Sequence, residues 1–312
     1  MTTKKQLPSK KNKTKRNSLI NNSSLNCNPN ITGNNVVRGS CFPSEILTIL
    51  KRGYNQNNPD NQIISEKPRL IWKDLKLRLR TCTKEDCWLN VIKDQKLRDK
   101  LDKYLFVPRP LQPIEWRSDP NTWLSNIDID AVLSEYEKSY PSFKAIQTAT
   151  IDFDDICYVE DLCKLKSKEQ LEDYLKLGKR KIGVIFNLDK MEESGSHWVS
   201  LFIDLQDEFI FYFDSNGDKI PKEIKVFVDR IKSYCGQLHS PIHLQEYNNY
   251  KVQHQYENTE CGMYSLFFII TMLSGKINNV PVESYEEKIQ LFREPRIPDK
   301  YVSDFRKIYF KV

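Results

Sequence analysis

Three short apolar runs in the middle of the chain, rich in β-branched and aromatic residues, constrain its fold more than any other feature. The runs are KIGVIF at 181–186, HWVSLFI at 197–203 and FIFYF at 209–213, with turn residues between them. Runs of this length and composition predict buried β-strands. Amphipathic helical patterns precede and follow them, over 128–140, 167–177 and 221–238. Strands clustered between helices predict an α+β domain with a central mixed sheet flanked by helices.

The positive charge of the chain is concentrated at its N-terminus. The 312 residues carry 48 Lys and Arg against 42 Asp and Glu, a net charge of +6. Eight of the basic residues and none of the acidic ones fall within 1–44, so the rest of the chain is close to neutral. The tail then becomes rich in Asn and Ser, which predicts disorder over 1–40. Two interpretations stay open: a contact with nucleic acid, an acidic surface or an import receptor, or a tail that only aids solubility.

A separate helical region is predicted between the tail and the strands. Apolar residues at helical spacing indicate a short helix capped by Ser44 and ended by Gly53, and further helix over 70–105 with a second helix start at Thr83. A proline-rich stretch from Pro108 to Pro113 then interrupts the pattern. We therefore predict three parts: a basic tail over 1–40, a helical accessory region over 41–113 and an α+β domain over 114–312.

The cysteine content and hydropathy argue for an intracellular chain. Eight cysteines at irregular spacing, without a secretion signal, indicate reduced thiols rather than a disulfide framework. Cys82 and Cys87 form one close pair and Cys157 and Cys163 another, but neither pair has the neighbouring ligands of a zinc site. No apolar run approaches the roughly 20 residues of a membrane span. We expect no metal, no cofactor and no membrane partner.

Three segments place reactive side chains at the ends of predicted elements. His197 opens the second strand, Asp214 follows the third, and Cys261 begins an uncharged helical run. Each alone has an ordinary structural explanation, as a strand-edge histidine, a turn residue or a small core residue. Together they favour catalysis, because a cysteine at a helix N-terminus or beside an imidazolium becomes a nucleophilic thiolate. If the second and third strands form a hairpin, Asp214 returns to the level of His197 and can orient its ring.

Further side chains near Cys261 complete or compete with this arrangement. Gln255 offers a side-chain NH₂ donor for an oxyanion, and Gly262 leaves the neighbouring amides unobstructed. His254 is a rival candidate for the base, although it lies beside Gln255 in a loop that would have to double back. The rival candidates for the orienting residue are Asn216, Asp204 and Asp218, which fall off the end of the strand.

The combined pattern resembles a known protease family. The order His-Trp, then Asp after an aromatic strand, then Gln six residues before Cys-Gly resembles the Ulp1/adenain clan of cysteine proteases. The run TECGMYSLF at 259–267 resembles the C48-type proteases of large DNA viruses, and the Lys/Asn/Ile-rich composition is typical of an AT-rich giant virus. The resemblance is strongest over 181–275 and weaker over 116–180. It implies a papain-like, adenain-type cysteine protease fold with an N-terminal helical region.

The resemblance also implies a role for each matching residue. Cys261 would be the nucleophile, His197 the general base and then acid, and Asp214 the group that holds the imidazole. Gln255, with the backbone N–H of Cys261, would form the oxyanion hole. Trp198 would pack near the triad and line the substrate channel. Some viral members use Asn as the orienting residue, and family members favour Gly-Gly or Gly-X-Gly before the scissile bond.

Several functions fit these residues. The leading hypothesis is a cysteine endopeptidase that matures viral structural polyproteins and is present in the virion and the host cytoplasm. The alternative is an isopeptidase that removes a ubiquitin-like modifier of the SUMO type. A non-catalytic binding module and an acyltransferase rank behind both. The partners we expect are a protein substrate and, through the basic tail, nucleic acid, while the helical region serves substrate recognition or braces the catalytic domain.

Overall fold

The computed structural model describes residues 27–28, 37, 39–82, 85–106, 110–274, 276–277, 280–281 and 284–311. The chain divides into two compact units, Met1–Val107 with Lys276–Pro281 and Pro108–Gly275 with Val282–Val312. The predicted tail over 1–40 lies almost entirely outside the described residues, so its disorder and the three predicted boundaries stay predictions. Within the described ranges, none of the helices combines the length and apolar character that a membrane crossing requires.

Short helices build the first unit. In chain order, its helices are α1 (Ser44–Asn57), α2 (Pro68–Arg78), the 3₁₀ helix Asp86–Val91 and α3 (Gln95–Asp102). The predicted cap is wrong, because Ser44 is already helical and the extended Pro43 occupies the cap position without a side-chain hydrogen bond. The helical pattern over 70–105 forms several short helices, and the second start predicted at Thr83 lies outside the described residues. Asp94 starts α3 by accepting hydrogen bonds from Lys96 N and Leu97 N at 2.9 and 3.3 Å.

The remaining elements alternate between helices and strands. In chain order they are the 3₁₀ helix Ile114–Arg117, α4 (Asn126–Ser139), β1 (Phe143–Ala145), β2 (Ala149–Thr150), α5 (Phe153–Ile156), α6 (Glu160–Lys164), α7 (Lys168–Lys176), β3 (Lys181–Asn187), β4 (Trp198–Asp204), β5 (Phe209–Phe213), α8 (Lys222–Gly236), β6 (Gln245–Asn248), α9 (Cys261–Ser274), β7 (Lys276–Ile277), β8 (Val280–Pro281), α10 (Tyr285–Arg293), α11 (Asp299–Ser303) and α12 (Arg306–Tyr309). β7 and β8 form a separate two-stranded sheet.

A mixed sheet forms the centre of the second unit, as predicted. Its order is β1-β3-β4-β5-β6, and β2 also pairs with β3. β4 is antiparallel to both β3 and β5, while β1, β2 and β6 run parallel to their neighbours. The three predicted central strands are confirmed to within one residue. The sequence analysis missed β1 and β2, because strands of two or three residues carry no readable periodicity.

Helices cover both faces of this sheet. On one face, α8 packs Phe227 into a cluster with alternate residues of the strands, such as Val184 and Leu201. On the other face, Phe268 of α9 stacks on Phe213 with ring centroids 4.8 Å apart. Residues 261–273 of α9 are all buried. Since each large apolar side chain contributes roughly 1.5–3 kcal/mol on burial, the position of α9 is set by the core.

The cysteines differ from the expectation of reduced thiols. Three disulfides are present: Cys27–Cys41, Cys82–Cys87 and Cys157–Cys163. Their Cα atoms are 4.9, 5.5 and 5.3 Å apart, which suits a bridge. The expectation was wrong because irregular spacing does not exclude bridges: two of them join the close pairs Cys82–Cys87 and Cys157–Cys163, and the third joins Cys27 to Cys41. Cys235 and Cys261 are free and buried.

Candidate active site

Cys261 lies where a loop enters the central helix. It is the first residue of α9 and its exposed fraction is 2%. The next residue is packed tightly, since a Cβ added to Gly262 would lie 3.2 Å from Leu124 Cβ and 3.4 Å from Trp198 Cδ1. The thiol therefore sits at a helix N-terminus, where the helix dipole favours negative charge, in a position that neighbouring side chains define closely.

The hairpin of β4 and β5 brings His197 and Asp214 together. Ser200 of β4 pairs with Phe213 of β5, so the residues just before β4 and just after β5 share one edge of the sheet. His197 Nε2 is 2.7 Å from Asp214 Oδ1. The hairpin predicted from the sequence is present, and its register brings these two side chains into hydrogen-bond contact.

Asp214 is buried and held from several directions. Asn216 N donates to Asp214 Oδ1 at 2.8 Å. Asn249 accepts from Asp214 N at 3.0 Å through Oδ1 and donates to Asp214 O at 2.5 Å through Nδ2. The sequence analysis missed Asn249. The structure brings Asn249 to this position because Tyr212 pairs in parallel with Asn248, which places the residue after β6 beside the end of β5.

A second hydrogen bond joins His197 to Cys261. Burial disfavours protonation of His197, but the hydrogen bonds to Asp214 and Cys261, together with their negative charges, raise its pKa to about 10. The ring is therefore an imidazolium at neutral pH. An imidazolium between a carboxylate and a thiol stabilises the thiolate, which is the nucleophilic form of cysteine.

Gln255 lies in the loop that leads into α9. Its Oε1 accepts from Ser215 Oγ at 2.7 Å, and its backbone N–H donates to Ser215 O at 2.9 Å. Its Nε2 donates to Glu257 O at 2.5 Å. Because the side-chain amide carries two N–H donors, this contact uses one of them. Ser215 follows Asp214 directly, so the candidate oxyanion residue and the candidate orienting residue are held by one turn.

The rival candidates have other partners or other positions. His254 Nδ1 accepts from Ile297 N at 3.0 Å, which leaves the proton on Nε2 to donate to Phe292 O at 2.9 Å. This fully buried ring is a structural residue. Asp204 pairs with Lys181 at the opposite end of β4, and Asp218 is exposed.

Trp198 forms part of the wall of a cavity of about 390 Å³ beside this site. Its indole Nε1 donates to Leu124 O at 3.1 Å. Other lining residues are Trp123, Tyr158, Lys190 and Gly195. The sequence analysis missed Trp123, a residue that is 45% exposed in the structure. A cavity of this size, with aromatic walls and a few charged groups, suits a short stretch of bound peptide.

In the described part of the chain, no group of three or more His, Cys, Asp or Glu side chains is arranged to hold a metal ion. The contacts of His197 with Asp214 and Cys261 support nucleophilic attack by a thiolate, with a histidine to move protons and a carboxylate to orient it.

Comparisons with known proteins agree with this chemistry. Residues 164–311 match the Ulp1 protease family, C-terminal catalytic domain. A protein of Acanthamoeba polyphaga mimivirus, provisionally named a thiol protease, is 31% identical over 197 residues, which are 63% of this chain and 59% of the relative. A protein of African swine fever virus named a SUMO-1 cysteine protease is 30% identical over 199 residues, which are 61% of this chain and 68% of the relative.

A solved structure supports the fold. The crystal structure of the African swine fever virus protease superposes with a TM-score of 0.51 at 21% identity and covers 92% of this chain and 96% of the other. The predicted fold and the family resemblance are confirmed by these matches. The match to the mimivirus protein spans less than two thirds of that relative's length, so activity and substrate are argued separately below.

Proposed function

This chain belongs to the Ulp1 protease family of cysteine peptidases, and we propose that it is an endopeptidase with Cys261, His197 and Asp214 as its catalytic triad. One observation carries the proposal: the His197 ring is hydrogen-bonded to Asp214 at 2.7 Å and also to Cys261. A binding module without catalysis would not need a histidine held between a buried carboxylate and a buried thiol.

The geometry supports a two-step acyl transfer. The Cys261 thiolate attacks the scissile carbonyl, and a C–S bond forms as the carbonyl oxygen becomes an oxyanion. The backbone N–H of Cys261 and the Gln255 amide stabilise this charge. His197 gives its proton to the leaving amine, and the C–N bond breaks to leave a thioester. His197 then takes a proton from water, the hydroxyl attacks the thioester, and the carboxylic acid leaves with the thiolate restored.

The proposed substrates are proteins cut after Gly-Gly or Gly-X-Gly. The support is the family resemblance, whose members favour glycine before the scissile bond, together with the cavity beside Trp198 that can take a short stretch of peptide. The relatives from two large DNA viruses support a role in maturing viral structural proteins. We therefore propose that the enzyme is present in the virion and in the host cytoplasm, which mass spectrometry of purified particles tests.

Removal of a ubiquitin-like modifier is the second candidate function. The observation that favours it is the name of the African swine fever virus relative, a SUMO-1 cysteine protease. Both functions use the same triad, so surfaces that contact the folded part of the substrate decide between them.

The test compares two substrate sets with one purified enzyme. One set is short peptides containing Gly-Gly-X, and the other is fusions in which a ubiquitin-like protein ends in Gly-Gly before a reporter. Cleavage of the peptides that is lost in Cys261→Ala supports the endopeptidase, whereas cleavage of the fusions alone supports the modifier protease. Cys235→Ala is the matched control, because Cys235 is the other free buried cysteine. A folded chain that cleaves neither set contradicts the proposal.

The basic tail is proposed to bind nucleic acid. Its support is the run of eight basic residues without an acidic one within 1–44. Phosphate contacts of this kind weaken steeply as salt rises. The test is the affinity for duplex DNA at several salt concentrations, with and without 1–40. Equal affinity and equal salt dependence for both chains would remove this role.

A further inference from the structure

A buried ion pair lies directly beside the candidate nucleophile. Glu260 precedes Cys261 and is 2% exposed, and Arg306 of α12 is 8% exposed. Arg306 Nη2 donates to Glu260 Oε1 at 2.8 Å and Nε donates to Oε2 at 3.3 Å. Two parallel contacts of this kind fix the geometry of both side chains as well as their charge.

The charge of Glu260 matters because of where it lies. A carboxylate buried beside a thiolate raises the cost of forming the thiolate, since like charges repel strongly where water is excluded. It would also cancel the partial positive charge at the start of α9. Arg306 supplies the opposite charge within hydrogen-bond distance, so the start of α9 keeps its partial positive charge.

Arg306 also holds the segment on the other side of Cys261. Its Nη1 donates to Pro120 O at 2.9 Å, and its guanidinium lies 4.3 Å from the centre of the Trp116 ring. The segment continues to Leu124, which accepts the hydrogen bond from Trp198 and packs against Gly262. One guanidinium thus joins the residue before the nucleophile to the segment that forms the cavity wall.

The other charged groups near α9 are engaged elsewhere. His197, just before β4, contacts Asp214, just after β5, as described. On the helices that pack against α9, the charged groups include Lys288 of α10, bonded to Met272 O, Asp299 of α11, paired with Arg296, and Asp130 of α4, bonded to Thr148. The uncompensated charge that would appear beside Cys261 on loss of Arg306 is therefore that of Glu260.

We propose that Arg306 is a positioning residue, which neutralises Glu260 beside the nucleophile and holds segment 120–124 against the start of α9. The inference rests on the proposed function only in taking Cys261 as the nucleophile. Nothing in the sequence marks Arg306, because 46 residues separate it from Glu260 and 186 from Pro120.

The experiment follows the alkylation rate of Cys261 by iodoacetamide against pH, with mass spectrometry, together with kcat and KM for a Gly-Gly-X peptide. In Arg306→Met the pH at which Cys261 becomes reactive should rise by about one unit or more, and kcat should fall at least about tenfold. Adding Glu260→Gln to that variant should return the reactive pH to the wild-type value, because it removes the charge that Arg306 balanced. Arg306→Lys should keep the wild-type reactive pH and lose kcat, since one ammonium cannot reach both Glu260 and Pro120 O.

Arg230→Met is the matched control. Arg230 pairs with Asp154 through Nη1 at 2.9 Å and lies on α8, on the opposite face of the sheet from α9, so its loss should leave the reactive pH unchanged. Two results overturn the inference. One is a folded Arg306→Met chain whose reactive pH equals that of wild type. The other is a double variant, Arg306→Met with Glu260→Gln, whose reactive pH stays as high as in Arg306→Met alone.

The single variant Glu260→Gln tests the inference even if Arg306→Met does not fold. If Arg306→Met does not fold, Glu260→Gln should lower the reactive pH, and an unchanged value overturns the inference. The proposed function fails separately, and the inference with it, if wild-type Cys261 is no more reactive than Cys235 or if His197→Ala leaves its reactive pH unchanged.

Discussion

Replacing Gly217 by alanine tests how tightly the turn after Asp214 positions the loop that carries Gln255. Gly217 has a left-handed backbone with φ of +74°. Its N–H donates to Asp214 O at 2.9 Å and its carbonyl accepts from Lys251 N at 2.8 Å. A Cβ would lie 2.7 Å from the carbonyl carbon of Val252 and 2.9 Å from Gln253 N. Because these are backbone atoms, the segment that leads into Gln255 would have to move.

Two terms set the size of the effect. A left-handed residue with a Cβ costs about 1–2 kcal/mol, and overpacking costs typically about 1–3 kcal/mol, so Gly217→Ala should lower the free energy of unfolding by about 2–5 kcal/mol. Gly178→Ala is the matched control, since Gly178 has φ of +77° and nothing within 4 Å of an added Cβ. It should cost only the first term, about 1–2 kcal/mol.

The assay is urea unfolding followed by far-UV circular dichroism, with kcat/KM measured on the folded variants. Gly217→Ala should lose more stability than Gly178→Ala. Only Gly217→Ala should lose activity, because Gly217 packs against the segment that leads to Gln255, whereas Gly178 does not. Equal losses of stability in the two variants, with activity intact in both, would refute the reasoning.

Three further predictions concern the triad and its cavity. His197→Ala should slow alkylation of Cys261 near neutral pH about tenfold or more, because the thiolate loses its imidazolium. Cys235, whose pKa is raised to about 12 by burial, should stay slow in both chains, and equal rates for the two thiols in wild type would contradict a thiolate. Asp214→Asn should move the alkaline limb of the kcat/KM profile, set near pH 10 by loss of the His197 proton, to lower pH, since the carboxylate that raises this pKa is gone; an unmoved limb would argue against Asp214 as the partner. Trp198→Ala should raise KM for a Gly-Gly-X peptide roughly tenfold with little change in the alkylation rate of Cys261, since truncating an interface residue that carries binding energy costs more than about 1 kcal/mol, and about 1.4 kcal/mol corresponds to tenfold. The reverse pattern would place Trp198 in the support of the thiol rather than in substrate binding.

The central strands were predictable because their signal is local. β3, β4 and β5 are continuous apolar runs, and every residue of β4 and β5 is buried. The accessory region was less predictable. Its apolar spacing over 70–105 is continuous, yet the structure interrupts it with a 3₁₀ helix and a new cap at Asp94. Apolar spacing reports which face is buried and does not report where a helix restarts.

The candidate site was predictable where it depends on the ends of strands and helices. The alignment of His197 with Asp214 followed from a hairpin with a short turn, and Cys261 followed from the start of an uncharged run. Asn249 could not be found in this way. Its two hydrogen bonds to the Asp214 backbone depend on β6 pairing in parallel with β5, and a run of strand residues does not show which strand it will pair with.

The sequence by itself determined the strand hairpin, the buried helix that begins at Cys261, and the family to which the chain belongs. These depend on runs of adjacent residues and on short motifs, whose physical consequences act within one or two elements. Tertiary structure alone decided the Glu260–Arg306 pair and the cavity between Trp123 and Trp198. Each of these joins elements whose side chains meet only after the sheet and helices have buried their apolar faces, and no local pattern in the sequence records that packing.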